Sequence, residues 1–292
     1  MKKEITNVAA SVKAQLLTIA KTSGKPYDEL LKMFAMERLL YRFSKSHFKN
    51  ILTLKGALIF FAYDIPGRRT TLDADFLAKY DNNPEKIAKI VKETCLISVE
   101  DDGIKFDPDT IVAVKIKEKA EYPGVRVKLT AYIEKTRIPV QIDFGFGDVI
   151  YPKAEKIEYP SLLGFPSPKL KGYPPESIIS EKFEIIIKLG ELNSRMKDFY
   201  DIWLIFRNLQ VDNTKLAKAI EITFKNRKTN IPHFDKLFSE DIYNKESDRQ
   251  KIWSAFLIKN NIKDAPGLLH DIAIEIEKQL IKSIKFIKKG NL

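Results

Sequence analysis

Cysteine occurs once, at Cys95, so no disulfide can close within this chain. The lone thiol sits at apolar spacing and reads as a small hydrophobe. Histidine occurs three times, at His47, His233 and His270, with no Cys or His partner at metal-ligand spacing, and none is assigned chemistry. Long apolar runs are missing. The longest, such as 57–63, is far too short to cross a bilayer, so no membrane partner is expected. The first residues show no apolar segment followed by a small-residue cleavage site, which makes a cytoplasmic location the expectation.

What the chain does have is length, core and positive charge. Its 292 residues leave room for two domains, and 44% hydrophobic residues supply a core. Lys and Arg number 50 against 39 Asp and Glu, a net charge of +11. That balance suits a protein that meets polyanions, and equally a Lys-rich solvated surface.

Helical spacing predicts packing helices over 8–22 and 27–43, separated by the Gly24-Lys25-Pro26 breaker. A short apolar helix is expected over 58–63 and another over 85–93, after the Asn82-Asn83-Pro84 turn. Residues 103–106, 111–116, 125–133 and 138–144 are rich in Val, Ile, Thr and Phe and read as strands. In 125–132 apolar and polar residues alternate, which predicts a sheet with one covered face and an α+β fold. Five of the 14 prolines crowd into 159–175, which therefore reads as an extended connector holding the domain boundary. Helical patterns follow over 175–189, around 196–203, and over 214–224, 251–259 and 265–287.

The most informative stretch is 53–77. A small-residue turn, Gly56-Ala57, is followed by a basic loop carrying Arg68 and Arg69, and the stretch ends on Asp73-Ala74-Asp75. On a strand Asp73 and Asp75 share a face about 6–7 Å apart, where they repel and a divalent cation would relieve the repulsion. A further carboxylate, Asp143, lies among apolar neighbours in Val140-Gln141-Ile142-Asp143-Phe144. Burial is costly for it unless it is metal-bound or ion-paired, and Arg126 or Lys128 are the candidate partners for a pair. Asp148, after a Gly-Phe-Gly turn, reads as structural. Further on, Lys182 sits within a helix. In Arg195-Met196-Lys197-Asp198-Phe199-Tyr200-Asp201 the spacings of Lys197, Asp198 and Asp201 put them on one side of a helix whose aromatics are apolar enough to be buried.

These motifs resemble the DNA polymerase β-like nucleotidyltransferases and, more closely, the AbiEii/AbiGii toxin family. Lys55, Gly56, Arg69, Thr71, Asp73, Asp75 and Phe76 match its first motif, with Ala57 where the family has a second Gly. The Ile142–Asp148 run matches the next, and Glu176, Glu181 and Lys182 a third, followed by the Arg195–Asp201 run. The resemblance spans about 27–256. It implies a nucleotidyltransferase domain over 1–165, with a mixed or antiparallel sheet flanked by helices, and a helical domain over 166–292. It further implies that Asp73, Asp75 and Asp143 hold Mg²⁺ and that Lys182 contacts the triphosphate. Lys55, Gly56, Ala57, Arg69, Lys197 and Asp198 would complete nucleotide binding. The expected activity is transfer from NTP to an RNA such as the tRNA 3′ end, by a toxin with a winged-helix antitoxin partner. The alternatives are a degenerate member of the fold that binds RNA or nucleotide without catalysis, and a nuclease. The nuclease lacks the Glu-x-Lys expected after its Asp.

Overall fold

The computed structural model describes residues 7–116, 123–233 and 237–288. By internal packing the chain divides into two units. The first comprises Met1–Tyr63, Thr71–Gly147 and Lys156–Gly172; the second comprises Asp64–Thr70, Asp148–Glu155 and Tyr173–Leu292. The boundary expected at 165/166 falls inside a segment of the first unit, and two short loops belong with the second.

The first unit is built on a seven-stranded sheet. Its strands are β1 (Leu52–Lys55), β2 (Asp73–Ala78), β3 (Lys105–Ile116), β4 (Gly124–Ile133), β5 (Thr136–Gly145), β6 (Glu155–Glu158) and β7 (Lys169–Gly172). The order across the sheet is β3-β4-β5-β2-β1-β7-β6. β3, β4 and β5 form an antiparallel meander, while β2 runs parallel to β5 and β1 parallel to β7, so the sheet is mixed. The β4–β5 turn is only two residues, which Glu134 makes possible with φ 52.

The alternation expected in β4 holds on its covered face, where Val125, Val127, Leu129 and Ala131 are buried; on the other face Arg126 is half-buried and Lys128 exposed, but Thr130 is buried. The same side of the sheet buries Ala74, Phe76, Ile142 and Phe144. Helices α1 (Val8–Ser23), α2 (Tyr27–Lys45), α3 (Ile59–Ala62) and α4 (Pro84–Cys95) belong to this unit; α2 packs on β5 and α4 on β3 and β4. Phe76 packs against Phe43 of α2 and stacks on Phe144, with ring centroids 5.2 and 5.8 Å apart. Asn83 caps α4, accepting from the backbone N–H of Glu85 and Lys86, and Pro84 opens the helix.

Two strand expectations are corrected, and one strand was not read at all. The two segments 103–106 and 111–116 are one strand, β3, with a register shift between Asp107 and Val112. There Asp107 accepts from the Asp109 N–H and Thr110 donates to the Asp107 carbonyl, local bonds that replace ladder bonds. The Pro-rich connector contains a strand: the proline-free window Lys169–Gly172 forms β7, beside β1 through Leu54 and Gly172. β1 itself, four residues before the Gly56 turn, carries no periodicity long enough to read.

The second unit contains α5 (Pro175–Leu189), α6 (Met196–Asn208), α7 (Asn213–Asn226), α8 (Glu240–Tyr243), α9 (Asp248–Lys259) and α10 (Leu269–Lys288). α5, α6, α7 and α10 pack on one another around Phe183, Phe199, Ile220, Phe224 and Ile276. Among the described residues, no helix is long and apolar enough to cross a membrane.

Candidate active site

Register gathers the acidic residues of the first unit. Asp75 of β2 pairs with Lys55 of β1 on one side and with Asp143 of β5 on the other, and Asp143 pairs with Arg126 of β4. Paired residues point to the same face. Lys55, Asp75, Asp143 and Arg126 therefore form one row across four strands, at strand spacings of about 4.8 Å. The row beside it runs Asp73, Gln141, Lys128 and Val112. This is the face opposite Phe76 and Phe144, and it is open: Asp73, Lys128 and Val112 are exposed, and Asp75, Gln141, Asp143 and Arg126 half-buried.

The turn after β1 shapes the row. Gly56 has φ 70, and a Cβ built on it would lie 2.1 Å from Asp75 Oδ2, so the carboxylate rests in the space a side chain would take. Only glycine combines that conformation with that approach. Ala57, buried beside it, is not among the non-glycine residues of positive φ, so the departure from a second Gly strains nothing in this turn. The Lys55 ammonium lies 3.7 Å from the point where a Gly145 Cβ would stand, on the same face as the carboxylates.

Asp143 is held by Arg126. The guanidinium donates from Nε to Oδ1 at 2.8 Å and from Nη2 to Oδ2 at 2.6 Å. This is the ion pair that the sequence left open beside the metal-ligand reading. The hydrogen bond to Asp143 raises the Arg126 pKa, aided by the charges of Asp143, Asp73 and Asp75. Among the described residues no three His, Cys, Asp or Glu side chains are arranged to hold a metal ion. The donor chemistry still fits a hard divalent cation: three carboxylates on one open face, with Asp75 and Asp143 directly paired. A carboxylate oxygen that accepts one hydrogen bond keeps a second lone pair. In this structure, however, both Asp143 oxygens are turned to Arg126.

The other expected residues lie in the second unit. Lys182 of α5 donates to Asp198 and to Asp201 of α6, each at 2.8 Å. Arg195 binds the second oxygen of Asp198 at 2.7 Å, and Arg69 forks onto Asp201 at 3.2 and 3.1 Å. Both carboxylates are buried, with 1% and 0% side-chain exposure. Burial opposes their charge, yet Lys182 and then Arg195 hold the Asp198 carboxyl down at about 2. Burial likewise opposes the Lys182 charge, and Asp198 and Asp201 outweigh it, so its pKa is raised. Lys197 is exposed on the first turn of α6; partial burial of its ammonium and the nearby cations Arg195, Lys182 and Arg69 lower its pKa. Tyr200 donates to the Gly67 carbonyl and so ties the basic loop to α6. Asp148 pairs with Arg227 at 2.8 Å; Arg227 also binds Glu181 at 3.1 Å and Glu184 at 2.9 Å.

Sequence reasoning gave site roles to Lys182, Asp198 and Arg69 but none to the residues that neutralise them, Asp201 and Arg195, which it named only as part of the 195–201 run. The i,i+3 spacing of Arg195 and Asp198 was a usable signal. The pairing of Arg69 with Asp201, 132 positions apart, had none.

Comparison with known proteins bears on this arrangement. The family model described as Nucleotidyl transferase AbiEii toxin, Type IV TA system, matches residues 38–271. The fold is similar to that of JHP933 from Helicobacter pylori, at 16% identity and TM-score 0.50 over 87% of this chain and 91% of that one. It is also similar to a candidate nucleotidyltransferase from H. pylori, at 16% identity and TM-score 0.52 over 91% of this chain and 99% of that one. Among curated proteins none matches the sequence.

Proposed function

The chain belongs to the AbiEii family of nucleotidyltransferase toxins of type IV toxin–antitoxin systems, and from that premise we propose that it transfers a nucleotidyl group from an NTP to an RNA acceptor, such as a tRNA 3′ end. The observation that carries the proposal is the row of carboxylates on an open sheet face beside the Gly56 turn. Asp73, Asp75 and Asp143 would hold magnesium. Bound there, it would supply charge neutralisation for a triphosphate and a lowered pKa for an acceptor hydroxyl.

The chain's own residues do the positioning. Gly56 leaves the space in which the Asp75 carboxylate lies against the backbone of the turn. Lys55 supplies a fixed positive charge on the same face, suited to phosphate oxygens. In the second unit Arg69, Lys182, Arg195 and Lys197 stand against Asp198 and Asp201, an excess of cations suited to the anionic part of a nucleotide. Lys197 and Arg195 are the more accessible of these, while Lys182 and Asp198 organise them from beneath. The +11 net charge supports an RNA acceptor. Membership of a toxin–antitoxin family implies an antitoxin partner, and a winged-helix protein is the form we propose for it.

The alternative, a protein that binds RNA or nucleotide without chemistry, draws on the engagement of Asp143 by Arg126. Labelled NTP, magnesium and total tRNA separate the two readings. Labelled RNA supports the transferase; unlabelled RNA of unchanged length supports binding alone, and shortened RNA a nuclease.

A further inference from the structure

The ion pair on Asp143 is accessible, unlike the buried pairs Lys182–Asp198 and Arg38–Asp102. Arg126 is 37% exposed in its side chain and Asp143 18%, whereas the Asp198, Asp201 and Asp102 carboxylates are almost fully buried. Exchanging its partner therefore strands no charge in a dry interior. A guanidinium and a divalent cation compete for the two Asp143 oxygens: both are positive, they repel at close range, and the fork engages each oxygen. Beyond Arg126 the open face continues one pair along to Lys128, which is exposed, and ends at β3 with Val112 and Val114, 58% and 50% exposed. Two neighbouring cations on an open face match the phosphates of a nucleic-acid strand.

We infer that Arg126 is a positioning residue with two alternative partners: it holds Asp143 while no divalent cation is bound, and on giving up that carboxylate it joins Lys128 as a phosphate contact for the acceptor strand. The inference rests on the transferase reading for the identity of its ligands. Cation binding and acceptor binding are then coupled, and the coupling is reciprocal. Magnesium at Asp143 frees a cation for RNA, and RNA drawing on Arg126 frees Asp143 for magnesium. Removing either member of the pair abolishes the coupling from its own side.

The test uses the full chain, magnesium chloride followed by calorimetry, and a short fluorescein-labelled single-stranded RNA followed by anisotropy at fixed ionic strength. Wild type is expected to bind the RNA roughly tenfold more tightly with magnesium than without. Arg126→Gln is expected to bind magnesium several-fold more tightly, and RNA more weakly with no response to magnesium. Lys128→Gln, which removes the same charge from the same face, weakens RNA binding but keeps the magnesium response. Asp143→Asn frees Arg126 directly, so its RNA affinity without magnesium already equals that of magnesium-loaded wild type. The inference is overturned if wild type shows no coupling, if Arg126→Gln keeps the wild-type response, or if it binds magnesium no better. Coupling is judged by two binding measurements and the transferase reading by product formation. Labelled product without coupling removes only the role of Arg126, and coupling without product removes only the transferase reading.

Discussion

Replacing Lys182 by Met removes an ammonium that bonds two buried carboxylates while keeping most of the side chain's apolar stem. Asp198 and Asp201 each accept from Lys182 at 2.8 Å and have almost no exposure. Breaking a buried pair from one side costs about 3–5 kcal/mol. Each carboxylate retains a second cation, Arg195 at 2.7 Å and Arg69 at 3.1 Å, so the lower end, about 3 kcal/mol, is expected. That is a large part of an ordinary domain's stability of about 5–15 kcal/mol. Kinetic effects of this substitution must therefore be measured well below its unfolding midpoint. Urea unfolding should show a lower midpoint with an unchanged slope. Neutralising the partner as well, in Lys182→Met/Asp198→Asn, should recover about 1–2 kcal/mol, because the stranded charge is gone. The pair also sets an acid dependence. Asp198 titrates at about 2 when folded, against about 3.9 when unfolded. A depressed acid stabilises above its unfolded pKa, so about 2 kcal/mol is present above pH 4 and lost as pH falls toward 2. In Lys182→Met that loss should begin at higher pH. A change below about 0.5 kcal/mol, within the range of surface substitutions, would refute the buried-pair reasoning.

Two further substitutions probe the sheet. Gly56→Ala puts a methyl group 2.1 Å from Asp75 Oδ2 and an L-residue at φ 70. It should cost about 1–2 kcal/mol in stability and, by displacing Asp75, lower transfer on the order of a hundredfold; transfer within about twofold of wild type would show that Asp75 is not held by this turn. Phe144→Ala empties a buried position stacked on Phe76 and should cost about 3–5 kcal/mol in urea unfolding. A loss under about 1 kcal/mol would mean that the core lies elsewhere.

Much of this was legible in the sequence where information is local. The alternation in 125–132 gave β4 its covered and open faces, and the Asp-x-Asp spacing put Asp73 and Asp75 on one of them. The aromatics of the Arg195–Asp201 run correctly implied a buried helix bearing charges. What could not be read depends on pairing between distant segments. β7 is four residues between prolines and exists because Gly172 reaches Leu54 of β1. The bulge that joins two expected segments into β3 comes from the side-chain bonds of Asp107 and Thr110. Asp143 was recognisable as an expensive carboxylate with Arg126 or Lys128 as its candidate partner, and the choice between them depends on the β4–β5 register that sets Arg126 opposite it. The cations around Asp198 and Asp201 come from three separate segments of chain, and only Arg195 is near enough in sequence to be inferred.

The central claim is that the carboxylate row performs nucleotidyl transfer, and Asp73→Asn tests it most directly. Asp73 is exposed on the open face, so the isosteric change removes one negative charge without opening a cavity. The measurement is label incorporation from NTP into RNA by wild type and variant, alongside the RNA affinity of both at one salt concentration. Loss of a carboxylate that carries the chemistry should remove several kcal/mol of transition-state stabilisation, a fall in rate of about a thousandfold or more. RNA affinity, set by phosphate contacts, should hardly change. The account predicts lost incorporation, and relief of growth arrest in expressing cells, with RNA binding retained; a variant that labels RNA as fast as wild type would contradict it.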